Sequence, residues 1–479
     1  MAIIRILLWL GYSLAACAVL LGLGAVMGAA SLEFRDAGLM AISAVVTGAI
    51  GSVFITSSFR TSTRESQSEA ILFLVVFWTL VPVVCSAPFY VLGASPSPAA
   101  AVFEGVSAMT TTGASRLDAD SLSRTLVFWR SLLQFFGGVA SATFAVVILA
   151  ALNLTGTGIH RSELFTFRTG ELFPRLVGVG RLIAALYLFL AAVAFLLMVA
   201  GNADAFEALC LSLSGIATGG LSPRSGALAT FLSPFSATVL AMLCLLGALN
   251  VSIVWDVVRS RRLRTAGRLF THVEHRGLFA ITIALIVTTV FFASLYNFGP
   301  AVLDSVFFMS TAAYRYDVIS LDMVPAPILI PLALIGGCAL STAGGIKVLR
   351  LMLLFRHLGT DVARLSHPSR VVPIQFRGNH IDDREFLSIW MYFFGYALCF
   401  AGGALALSMA GLSLEDGLAT SAASLANIGP LLELTLPASG LRYADFTGLQ
   451  MVIATLLMLA GRVEVLVAMA LFLPSSWRQ

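Results

Sequence analysis

Apolar runs alternate with short polar, glycine-bearing clusters along the whole chain. The runs stand near 1–27, 39–54, 70–92, 126–152, 182–199, 235–258, 278–295, 328–354, 386–409 and 449–473. A helix crosses hydrocarbon with about 20 apolar residues, so the pattern predicts about ten transmembrane helices. Arg5 followed by an apolar run and by Gly28-Ala29-Ala30 imitates a secretory leader. The run is too long for a leader's apolar core and a second run follows at once, so two retained helices are expected there.

After the polar stretch 57–69 a unit recurs: an apolar span, a shorter segment, a polar cluster and a second span. The clusters are Thr110 to Ser115, Ser214 to Ser222, Ser310 to Asp317 and Ala426 to Pro430. The expected organisation is two N-terminal transmembrane helices (1–58) and four repeats (59–160, 161–275, 276–384 and 385–479), an all-α polytopic membrane protein. Ser107 precedes Gly113 by the interval that separates Ser214 from Gly220 and Ala423 from Gly429. Acidic residues open the short segment in three copies, Glu207, Asp304 and Asp416, with Ala100 in the first. Carboxylates there suit a helix N-terminus. Loop carbonyls at membrane depth need a partner, either an ion whose hydration shell they replace or neighbouring backbone packed through small residues. Four copies around one axis enclose a pore.

Composition supports the membrane reading: 58% of the residues are hydrophobic and 11% charged, and the mean hydropathy is +0.94. No soluble domain has such a composition. Six cysteines without paired spacing point to neither disulfides nor zinc. The net charge of +4 is nearly all arginine, Lys347 being the sole lysine. Arginines gather between repeats: Arg60 and Arg64; Arg161, Arg168, Arg175 and Arg181; Arg259, Arg261, Arg262, Arg264, Arg268 and Arg276; Arg350, Arg356, Arg364, Arg370, Arg377 and Arg384. The positive-inside rule puts these segments and both termini in the cytoplasm. No P-loop, GxGxxG, HExxH or CxxC occurs, and the histidines, His160 and His367 among them, lie in the arginine-rich connections. Neither an enzyme nor a bound cofactor is expected.

Two further stretches carry chemistry. Residues 336–347 hold Gly336, Gly337, Ser341, Thr342, Gly344, Gly345 and Lys347. Each glycine costs a helix about 1 kcal/mol against alanine, which predicts a break. The break projects into the pore as a constriction or serves close helix packing. Lys347 and Arg350 face an aqueous cavity or mark the helix's cytoplasmic end. Arg462 sits in apolar chain, with Glu464 off its face, and points at the pore or bonds carbonyls across a helix interface.

Ser107 to Ala114, Thr218-Gly219-Gly220, Asn427-Ile428-Gly429-Pro430, the stretch 336–350 and Ala460 to Val465 together resemble the Trk/Ktr/HKT superfamily of potassium translocators, in its TrkH branch. The resemblance covers nearly the whole chain. It implies potassium uptake across the bacterial inner membrane, with K+ as the transported ion, a homodimer with one selectivity filter per subunit, and a cytosolic nucleotide-binding partner of the TrkA kind. It assigns the filter to Thr111, Thr112, Gly113, Thr218, Gly219, Gly220, Asn427, Ile428 and Gly429, and the gate to the loop with Ser341, Thr342, Gly344, Gly345 and Lys347, beside Arg462. Gln134 with Gly137-Gly138 keeps a Gln-x-x-Gly-Gly pattern of such proteins, but Val139-Ala140-Ser141-Ala142 replaces its glycine-rich continuation; the site is read as packing.

The third cluster departs from that pattern. Counting from Ser310 puts Tyr316 at the glycine position, and counting from Asp304 puts Asp317 there. Arg315 then stands beside the ion, paired with Asp317 or turned outward. Reduced selectivity follows as an expectation, with a non-conducting binding or assembly subunit as the alternative. A secondary transporter fits less well, because the breaks fall once per repeat in outward loops.

Overall fold

The computed structural model describes residues 2–57, 67–151, 172–260, 266–293, 297–317, 320–366, 375–376, 379–380, 383–435 and 440–463. Arg60, Arg64, Arg161, Arg168, Arg261, Arg262, Arg264, Arg370, Arg377, Glu464, His160 and His367 lie outside the described residues, so the expectations resting on them are not addressed. The protein is an all-α polytopic membrane protein; the strand pairing among the described residues is a two-residue antiparallel hairpin, Gln375–Phe376 with Asn379–His380.

Helices long and apolar enough to cross a membrane run Ile3–Ala30, Phe34–Ser57, Glu69–Val91, Arg124–Val147, Pro174–Ala200, Val273–Ala293 and Phe386–Met409. Large apolar side chains on them, such as Val45, Phe291 and Leu398, are exposed. That is expected where the solvent is lipid, since helices satisfy their own backbone. The first two helices pack as a hairpin through two glycines: a Cβ at Gly51 would lie 2.9 Å from the Gly11 carbonyl oxygen. Small residues let backbones approach this closely.

Two expected spans are broken. The stretch 336–347 interrupts the third repeat, as its glycines predict: the helix Ala326–Ile335 stops at Gly336, φ 70°, and helix resumes at Val348. The expected single span 235–258 is instead Pro234–Ala248 and Val251–Ser260, set at 112° to each other. Leu249 is extended, and Asn250 restarts the helix, its Oδ1 accepting from the Ser252 N–H at 3.1 Å. Side-chain capping of this kind satisfies backbone donors that a new helix start leaves open. The buried His275 fixes the break from another helix, its Nε2 accepting the Asn250 N–H at 3.2 Å.

Four helices of twelve residues lie between the spans: Pro98–Met109, Ala205–Ile216, Phe298–Met309 and Leu414–Leu425. At 1.5 Å per residue each is about 18 Å long, enough to enter a bilayer but not to cross it. Ser97, Asp204 and Ser413 cap three of them. Glu207 and Asp416 stand in first turns, and Ser413 and Asp416 bond each other's side chains at 2.8 Å. The six cysteines are free, five of them buried.

Candidate functional site

Each short helix leaves through the same backbone move. Thr111, Thr218, Thr311 and Asn427 are two residues past their helix and have φ between 51° and 64°. Each donates its N–H to the carbonyl three residues earlier, at 2.9 to 3.2 Å. Left-handed backbone is costly for a β-branched residue, about 1–3 kcal/mol, and such strain gathers at ligand sites. Two residues on stand Gly113 (φ 78°), Gly220 (φ 77°) and Ala313 (φ 48°). In the fourth loop the residue there is Gly429, which keeps negative φ and donates its N–H to the Thr112 carbonyl at 2.6 Å. The loops abut at these positions. A Cβ at Gly113 would overlap the Gly219 carbonyl, one at Gly220 the Ala312 carbonyl, and one at Gly429 the backbone of Ala114. Glycine is required by contact at all three.

The register of the third loop corrects the sequence reading. Glu104 and Asp304 occupy the same turn of their helices, and each carboxylate accepts the N–H twelve residues on, from Arg116 and Tyr316, both at 2.5 Å. Tyr316 therefore corresponds to Arg116, Arg315 to Ser115, and Ala313 to Gly113. Neither Tyr316 nor Asp317 occupies the glycine position, and neither Arg315 nor Tyr316 stands at the ring where the loops meet. Of the two alternatives for Arg315, pairing with Asp317 or turning outward, the structure shows neither outright: Arg315 pairs with Asp322 at 2.6 Å. Asp304 is likewise not an opening acid like Glu207 and Asp416. Counting from Ser310 misled because Phe307, not Ser310, stands where Ser107 and Ser214 stand.

The 336–347 loop crosses the other end of this ring. The Thr218 hydroxyl donates to the Thr342 hydroxyl at 3.2 Å, and Thr342 in turn donates to the Gly247 carbonyl at 3.0 Å. The Gly344 N–H donates to Thr311 Oγ1 at 3.1 Å, and a Cβ at Gly344 would overlap the Ala426 carbonyl. Arg462 completes the contact: its Nε donates to the Thr110 carbonyl at 2.7 Å, its Nη1 to the Thr342 carbonyl at 2.6 Å, and its Nη2 to the Thr111 hydroxyl. Arg462 thus bonds backbone carbonyls, and those carbonyls belong to the first loop and the crossing loop. Lys347 (φ 80°) turns its Nζ back onto the Ser341 and Ala343 carbonyls. Arg350 lies over the Tyr392 ring, 4.0 Å from its centroid.

On the opposite side a cavity of about 570 Å3 opens over Gly113, Gly220, Ala313 and Pro430. Arg116, Arg130, Arg224, Arg315 and Arg442 reach it, with Asp118 and Glu433. Several of these arginines are held by the protein. Arg116 donates to the Ala444 and Phe446 carbonyls, both at 2.7 Å, and Arg224 pairs with Glu207. Burial raises the Asp322 carboxyl above its ordinary range, and the Arg315 guanidinium opposes that rise.

Gln134, read as packing, also holds a loop, its Nε2 donating to the Gly219 carbonyl at 2.5 Å. Gly137 is packing: a Cβ there would overlap the Met109 carbonyl. Sequence reasoning missed Glu104, Tyr314 and Tyr443, whose hydroxyl donates to the Gly429 carbonyl at 2.9 Å. An acid twelve residues before a loop N–H in copies one and three was the available signal for Glu104.

Four strained loops meeting on one axis, open to a vestibule on one side and crossed by a broken span on the other, define a membrane pore protein of repeated helical units. The chain belongs to the TrkH family, described as a cation transport protein, whose profile matches residues 39–478. It is 31% identical over 467 residues to the Trk system potassium uptake protein TrkH of Escherichia coli (strain K12), covering 94% of this chain and 95% of that protein. It is 28% identical over 421 residues to TrkG of the same organism, covering 86% and 85%. The crystal structure of the potassium transporter TrkH from Vibrio parahaemolyticus superposes with a TM-score of 0.88 at 26% identity, covering 100% of both chains.

Proposed function

We propose that this protein takes up potassium across the bacterial inner membrane, through a filter made by the four loops and a gate made by the 336–347 loop with Arg462. The observation that carries the reading is the meeting of Gly113, Gly220, Ala313 and Pro430 at the floor of one vestibule. The relatives' names give the ion. The filter residues are Thr111 to Gly113, Thr218 to Gly220, Thr311 to Ala313 and Asn427 to Gly429. The four repeats keep the boundaries read from the sequence, and both termini are cytoplasmic. A homodimer docks a nucleotide-binding cytosolic subunit through its arginine-rich connections, and added salt weakens that association.

Selectivity is reduced, because Ala313 brings a methyl group and a less favourable backbone to the position where two other loops have left-handed glycine. One observation favours the non-conducting alternative: the Thr112, Gly219 and Gly429 carbonyls all accept protein hydrogen bonds. A carbonyl has a second lone pair, so those bonds do not exclude ion contact. Radiotracer potassium and sodium uptake into liposomes holding the purified protein separates the two. Uptake of potassium exceeding that of sodium is expected; uptake of neither ion, with and without the cytosolic partner, supports the non-conducting reading.

A further inference from the structure

Behind the loops, a hydrogen-bond chain joins three buried side chains from three different repeat segments. Tyr314 follows Ala313, in the position of Ala114 and Leu221. In the first repeat the Ser107 hydroxyl donates to the Ala114 carbonyl at 2.6 Å, tying loop to helix. The Ser214 hydroxyl lies 3.3 Å from the Leu221 carbonyl in the second. The third helix has Phe307 there and no hydroxyl to offer. Tyr314 supplies one from the loop instead. Its ring packs edge-on against Phe307, centroids 5.6 Å apart, and its hydroxyl meets that of Ser214. The Ser214 hydroxyl is also 2.5 Å from Gln134 Oε1, and Gln134 Nε2 holds the Gly219 carbonyl.

Donor accounting gives the chain one direction. The Gly219 carbonyl only accepts, so the Gln134 amide nitrogen faces it and Oε1 must receive. Ser214 spends its single proton on Oε1, which leaves its lone pair for the Tyr314 O–H. We infer that Tyr314, Ser214 and Gln134 form a brace that fixes the spacing of the second and third loops, making Tyr314 a positioning residue for ion selectivity. The inference rests on the proposed reading of these loops as a filter. Potassium and sodium differ in radius by a fraction of an ångström, so a loop free to shift by that much discriminates less. The brace gives the third loop, which lacks both the helix serine and the glycine, a side-chain tie to the second loop beside the one Asp304 makes to its own helix.

The test is the potassium-to-sodium uptake ratio in liposomes for Tyr314→Phe, Ser214→Ala and the double variant, each checked for unaltered melting in detergent. Each single change breaks the link between Tyr314 and Ser214 and is expected to lower the ratio about fivefold, the worth of that one neutral hydrogen bond between the loops. The double variant falls no further, because either change already breaks the chain, and Ser214→Thr, which keeps the hydroxyl, retains the ratio. Gly220→Ala serves as the filter control, since its Cβ would overlap the Ala312 carbonyl. If Gly220→Ala lowers the ratio while Tyr314→Phe and Ser214→Ala do not, the brace is overturned and the filter stands. If none of the three changes it, the filter reading fails and takes the brace with it. Multiplying losses in the double variant also overturn the brace. Should Ser214→Ala fail to fold, Tyr314→Phe decides alone, because its ring keeps the contact with Phe307.

Discussion

Arg462 and Thr342 are joined by a charge-assisted hydrogen bond, Nη1 to carbonyl at 2.6 Å. The same guanidinium holds the Thr110 carbonyl at 2.7 Å, so one side chain fastens the crossing loop to the first of the four loops. On the gate reading, Arg462→Ala releases that fastening. A hydrogen bond to a charged group is worth about 1.5–3 kcal/mol, which corresponds to a rise of roughly 10- to 100-fold in basal potassium flux. Flux into liposomes without any partner protein measures this. Unchanged flux in a folded variant removes Arg462 from the gate.

Ala313→Gly is expected to raise both potassium flux and the potassium-to-sodium ratio. Ala313 has φ 48°, and left-handed backbone costs an L-residue roughly 1–2 kcal/mol that glycine does not incur. A gain of about fivefold or more in the ratio follows if that strain opposes the ion-binding form. Tyr316→Gly, outside the ring by register, leaves the ratio unchanged. Equal effects from the two substitutions would restore the register counted from Ser310.

Gly336→Ala tests the break in the third repeat. Gly336 has φ 70°, and a Cβ there would overlap the Gly344 carbonyl. Backbone strain together with overpacking makes a loss of about 2–5 kcal/mol, read as a lower melting temperature in detergent. Gly22→Ala, inside a helix and with open space around its Cβ, is the comparison, expected to leave melting unchanged or raise it slightly.

Arg5 and Glu69 form a buried ion pair at 2.6 Å, their side chains 9% and 11% exposed. Removing one partner of such a pair costs about 3–5 kcal/mol, because the other charge is left buried. Glu69→Gln is therefore expected to be strongly destabilising, and Arg5→Met combined with Glu69→Gln to recover most of the loss. A double variant as unstable as the sum of the single ones would contradict this account.

Topology is tested by labelling. Cysteine placed at Ser225, beside the vestibule, is expected to react with a membrane-impermeant reagent added to intact cells. Cysteine at Arg268, in an arginine-rich connection, is expected to stay unlabelled. The opposite pattern reverses the orientation.

The sequence by itself determined seven of the ten expected spans, because lipid offers backbone groups no partner and only a long apolar helix satisfies them. It also determined three of the four loop registers, through Ser107, Ser214 and Ala423, and the break at 336–347, through its glycines. Both are local: they depend on residues a few positions apart. The third register was not legible, because Phe307 replaces the marker serine and the contact that sets the register is made by Asp304 with the Tyr316 N–H. Nor was the break at Leu249, since Asn250 inside an apolar run looks like span until His275 from another helix takes its N–H. The partners of Gln134, Tyr314 and Arg462 lie 80 or more residues away in the chain. Such contacts exist only once separate repeats have packed around a shared axis, and packing is what tertiary structure decides.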